Sequence, residues 1–90
     1  MIHHLKTLPK YFIATATKHK TFEVRDNDKG FGVGDILCLK EWFPDDQRYS
    51  GRELFCYVEY IMQGGQFGIA DSHVVMSIEL LQSYNPNSTG

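Results

Sequence analysis

Apolar and polar residues change their period several times along this chain, and each change predicts an element. In residues 3–7, His3, Leu5 and Thr7 fall on one side and His4 and Lys6 on the other, the alternation of a short strand. Pro9 then suits a first helical turn, with Thr7 or Leu8 as N-cap. Tyr11, Phe12, Thr15 and Ala16 form a stripe that predicts a helix of about ten residues, ending near Lys18. From Thr21 to Arg25 the period returns to two: Phe22 and Val24 face one way, Thr21, Glu23 and Arg25 the other. Residues 26–34 are rich in Asp, Asn and Gly and read as a turn. Strands follow at 36–43, 53–62 and 73–80, separated by a polar hairpin loop from Pro44 to Arg52 and a Gly-rich loop from Gln63 to Ser72. The strand 53–62 is apolar on nearly both faces and belongs in the centre of a sheet, with Leu54, Cys56, Val58, Tyr60 and Met62 sharing one side. Val74, Met76, Ile78 and Leu80 point inward from the last strand. The pattern is mainly β in an α+β arrangement: about five to six strands and one packing helix near the N-terminus, in a small, strongly bent or closed barrel.

Ninety residues give one domain, expected to span 1–83, with 84–90 as a frayed tail. Composition is that of an ordinary soluble protein, with 42% hydrophobic and 22% charged residues. No apolar run is long enough to span a bilayer, and the first twenty residues hold four Lys and no signal-like apolar block. Cys38 and Cys56 lie in strand patterns and read as buried thiols of a cytoplasmic protein. Asn87-Ser88-Thr89 matches a glycosylation triplet, which has no meaning without a secretory route. The net charge of −2 hides an asymmetry: residues 1–20 carry four Lys and no acid, while the remainder holds five basic and eleven acidic residues. A basic patch of that size suits a short single strand, a nucleotide or one phosphate cluster rather than duplex DNA.

Several chemistries drop out. His3, His4, Cys38, Cys56 and His73 fit no zinc spacing. Asp26-Asn27-Asp28 begins like a calcium loop but lacks the third ligand and the later Glu. Gly30, Gly32 and Gly34 are not in dinucleotide-fingerprint order and precede no helix. No cofactor is implied.

The stretch Lys18-His19-Lys20-Thr21-Phe22-Glu23-Val24-Arg25 gathers the candidate chemistry. Glu23 and Arg25 share a strand face and Lys20 stands just ahead of them; a surface ion pair is one reading and a binding cleft the other. The stretch resembles the G-x-K-x-x-E-x-R motif of the ASCH domain, a member of the PUA-like superfamily of small β-barrels. Lys18 stands where the motif has Gly. The blocks His3-His4-Leu5-Lys6-Thr7, Val33-Gly34-Asp35-Ile36-Leu37, Tyr49-Ser50-Gly51-Arg52-Glu53, Gly64-Gly65-Gln66-Phe67-Gly68 and Val74-Val75-Met76-Ser77-Ile78 extend the likeness to a group of small bacterial and phage proteins. The resemblance implies a PUA-like barrel and RNA or nucleotide binding in a cleft between helix and barrel. Lys6, Lys20 and Arg25 would meet phosphate or a base edge, Glu23 would orient Arg25 or accept from a base, and Trp42 or Phe67 would stack. Phe67 has a second reading, as a plug at the barrel end. Some ASCH proteins are amidohydrolases of a modified cytidine that use a Lys, a Thr and a Glu. Lys20 matches their Lys, but the position three residues later is Glu23 rather than Thr. The remaining alternative is a protein-interaction module, as in a phage factor that binds a host protein.

Overall fold

A computed structural model describes residues 1–87; Ser88 and Thr89 of the glycosylation triplet, and the end of the expected tail, lie outside them. The elements run β1 (Ile2–Thr7), α1 (Pro9–Ala16), β2 (Phe22–Asp26), β3 (Ile36–Phe43), β4 (Arg48–Gln63) and β5 (His73–Tyr84), with one 3-10 turn at Asn27–Lys29. The five strands form one sheet in the order β1-β3-β4-β5-β2. β1 and β3 are parallel, a pairing that needs a crossover and has it in the chain through α1 and β2; the other pairs are antiparallel.

The sheet curls, and bulges are part of the reason. Register shifts interrupt the β3–β4 pairing between Lys40 and Trp42 and the β4–β5 pairing near Phe55 and near Val58. Each adds local bend and twist. The curl brings the two edge strands within one side chain of each other. Arg25 of β2 donates from Nη1 to the Lys6 carbonyl (3.1 Å) and from Nη2 to Thr7 Oγ1 (3.3 Å), both on β1.

The concave face carries the core. Leu5 and Leu39 pair across β1 and β3, Leu39 and Leu54 across β3 and β4, and Val58 and Ile78 across β4 and β5. All are buried, together with Leu37, Cys56, Val74 and Met76. A fully buried side chain of this kind contributes about 1.5–3 kcal/mol relative to exposure. Helix α1 packs over this face with Phe12 at 2% exposure. Its N-cap is Leu8, without a side-chain cap bond, and Pro9 begins the first turn.

Five expectations need correction. The helix ends at Ala16, not near Lys18, because Lys18 takes a left-handed φ of 65° that no helix continues. β4 starts at Arg48, so the hairpin connection is only 44–47; the polar residues 48–52 hide a strand that pairs Tyr49 with Trp42. Tyr60 does not follow Val58 inward: the bulge between them inverts the alternation, leaving Tyr60 68% exposed while Ile61 packs on the core. Phe67 plugs nothing; it is 84% exposed in the β4–β5 loop. β5 also runs on to Tyr84, and Pro86 lies against Gly51.

Candidate functional site

The turn out of α1 delivers the first functional side chain. The amides of His19 and Lys20 both donate to the Ala14 carbonyl at 3.0 Å, closing the helix end, with Lys18 in the left-handed region. Glycine adopts that conformation without strain, whereas a side chain costs on the order of 1 kcal/mol. The turn therefore takes a geometry suited to glycine, with Lys18 in that place.

β2 is built inside out. Its apolar residues Phe22 and Val24 are nearly half exposed, while Glu23 is 3% exposed. A buried carboxylate needs partners, and Glu23 has two. Lys20 Nζ donates to Glu23 Oε2 and to the Phe22 carbonyl, and Arg25 Nε donates to Glu23 Oε1 at 2.8 Å. Arg25 then reaches the opposite sheet edge through its two terminal nitrogens. The Glu23–Arg25 pair is thus no surface ion pair: it ties the helix turn, β2 and β1 together. Lys20, expected to be free for an anion, is held by Glu23.

A cleft of ≈ 540 Å³ opens over this cluster. Of the six predicted binding residues, Lys6, Lys20, Glu23 and Arg25 line it. Trp42 and Phe67 do not, although Trp42 stands next to it: Lys6 Nζ lies 4.1 Å from the centre of the Trp42 ring, a cation–π distance. Among the described residues Lys6 has no carboxylate partner, so it, not Lys20, is the cation available to a ligand. The sequence reading missed the apolar wall: Leu8 and Tyr11 from the start of the helix, Phe22 and Val24 from β2. All four are exposed, at 43–47%.

A second buried carboxylate also escaped the sequence reading. Glu41 is 1% exposed and takes a two-pronged bond from Arg52, Nε to Oε1 and Nη2 to Oε2, both at 2.8 Å. Burial alone would push its carboxyl up, but the bonds from Arg52 and Ser50 and the guanidinium charge outweigh that and leave it lowered. The signal was present: Glu41 continues the in-facing alternation of Leu37 and Leu39. Thr7, the residue opposite Glu41 on β1, accepts from Arg25 and donates to the Leu5 carbonyl. Asp35 is likewise held below its ordinary value, first by a bond from His3 at 2.8 Å and then by the Gly32 amide.

Cys38 and Cys56 are buried and free. Burial pushes the Cys56 thiol up to about 12, with the Glu23 charge adding to the shift. Among the described residues no group of three or more His, Cys, Asp or Glu comes together as a metal site, and no helix is long and apolar enough to cross a membrane.

No curated protein matches the chain. A family model described as "Domain of unknown function (DUF3850)" matches residues 2–78, which include β1 through the first half of β5 and every residue of the cleft. The protein belongs to that family.

Proposed function

We propose that this is a cytoplasmic, ASCH-type PUA-like module that binds single-stranded RNA or a nucleotide in the cleft between helix and sheet. One observation carries the reading: three cations, Lys6, Lys20 and Arg25, line one cleft, two of them bonded to the buried Glu23, beside an apolar wall containing Tyr11 and Phe22. Cations attract phosphate, ring faces accept an unstacked base, and neither needs a duplex. Lys6 has no competing acid, and Arg25 keeps two of its five N–H donors unused. Lys20 and Glu23 hold Arg25 in place.

The test is a titration of short single-stranded RNA and DNA against wild type, Lys6→Ala and Lys20→Ala at two salt concentrations. With one phosphate contacted, affinity falls ~2.5-fold between about 0.05 and 0.2 M salt. Lys6→Ala weakens binding and flattens that dependence. Absence of binding at low salt, or indifference to both substitutions, refutes the reading.

An amidohydrolase acting on a modified nucleoside is favoured by one observation: Thr7 brings a hydroxyl to the cleft that holds Lys20 and Glu23. Against it, that hydroxyl already accepts from Arg25, and both Glu23 oxygens accept from Lys20 and Arg25 rather than facing a substrate proton. Release of cytidine from an acylated cytidine would reverse this ranking.

A further inference from the structure

The seam between β1 and β2 holds a second hollow, of ≈ 400 Å³, and it shares exactly two side chains with the cleft: Lys6 and Arg25. Two compartments that meet at a pair of cations match a repeating ligand whose units are joined by an anion. In a single-stranded nucleic acid, two nucleosides flank one phosphodiester.

The second hollow has the chemistry of a nucleoside site rather than a second phosphate site. Asp26 and Asp28 line it together with Lys29, so apart from the two shared cations it offers one ammonium against two carboxylates and no surplus cation for a second phosphate. Carboxylates accept from sugar hydroxyls and from the exocyclic amino groups of bases. Tyr49 supplies a ring on the same wall. It is 46% exposed and is propped edge-on against Trp42, with centroids 4.8 Å apart, leaving part of its surface open for stacking.

We propose that this hollow receives the neighbouring nucleoside of a strand whose phosphodiester lies at Lys6 and Arg25, so that the ligand is an oligonucleotide rather than a free mononucleotide. The proposal rests on the cleft binding a nucleotide in the first place. It assigns Tyr49 a stacking role and gives the seam a minimum site of two nucleosides.

The test compares two probes with the same phosphodiester charge, a nucleoside 5′-methyl phosphate and a dinucleoside monophosphate, by titration against wild type, Tyr49→Ala and Tyr49→Phe. The dinucleoside monophosphate is expected to bind at least ~10-fold tighter to wild type, and Tyr49→Ala to weaken it roughly 5- to 150-fold, the range of a lost base–aromatic stack. Tyr49→Phe keeps the ring and the affinity, and Tyr49→Ala leaves the methyl phosphate unchanged. Equal affinity for the two probes, or equal loss of both in Tyr49→Ala, overturns the second subsite and leaves the cleft reading standing. Failure of wild type to bind either probe overturns both.

Discussion

Arg25→Met tests whether the sheet is closed by one side chain. The guanidinium makes three hydrogen bonds, to Glu23 Oε1, the Lys6 carbonyl and Thr7 Oγ1. Only the first meets an opposite charge. Removing one partner of a fully buried ion pair costs about 3–5 kcal/mol. Two features reduce that here. The Arg25 side chain is 25% exposed, and Lys20 still neutralises Glu23 after the substitution. Methionine also keeps much of the packing of the arginine stem. The expected loss is therefore about 2–3 kcal/mol, from one charge-assisted bond to Glu23 and two weaker bonds to β1. For a domain of this size that lowers the melting temperature by roughly 10–20 °C. Urea unfolding at low and high salt provides the assay. Because the pair is largely buried, most of the loss should survive in high salt. A loss under ~0.5 kcal/mol, the usual range for a surface substitution, would refute the reading of Arg25 as the tie between the edges.

Other predictions follow from the same contacts. Lys18→Gly relieves the left-handed φ of 65° and should stabilise the protein by about 0.5–1 kcal/mol in the same assay. Arg52→Met strands Glu41 at 1% exposure and should cost about 3 kcal/mol, whereas Glu41→Gln should cost less because it removes the buried charge. The folded-state carboxyls of Asp35 and Glu41 lie below their ordinary values of 3.8 and 4.5, so their stabilisation is complete above those values and is lost as pH falls through the lowered ones; Asp35→Asn should flatten the acid limb of stability against pH. With its thiol near 12 and no exposure, Cys56 should resist an alkylating reagent at neutral pH until the protein unfolds; rapid labelling of the native protein would contradict this.

The strands were legible because one-sided burial imposes a period of two, and β4 announced its central place by being apolar on both faces. The ends were harder to read. Arg48–Arg52 looks like a loop because its partners are Trp42 and Phe43 at a solvated hairpin end, where no apolar alternation is required. The bulge after Val58 leaves no mark in the sequence, and it reversed the expected direction of Tyr60. For the cleft, the spacing of Lys20, Glu23 and Arg25 placed three groups on one strand and its approach, whereas Lys6 was expected there only from the family resemblance, since the early basic run does not single it out from Lys10 or Lys18. The contribution of Leu8 and Tyr11 was not legible, because it depends on how α1 docks. Nor could the alternation of β2 say which face was inward; hydrophobicity alone would have buried Phe22 and Val24, and the bonds of Glu23 to Lys20 and Arg25 decided otherwise.

The central claim is that an unpaired strand lies along Lys6 and Arg25, and amide chemical-shift mapping tests it most directly. Short single-stranded RNA added to the ¹⁵N-labelled protein should move the signals of Lys6–Leu8, Tyr11 and Phe22–Arg25, together with the Arg25 side-chain Nε–H. Shifts confined to the convex face around Tyr60, or to the loop that carries Phe67, would contradict the account, as would a spectrum that RNA leaves unchanged at low salt.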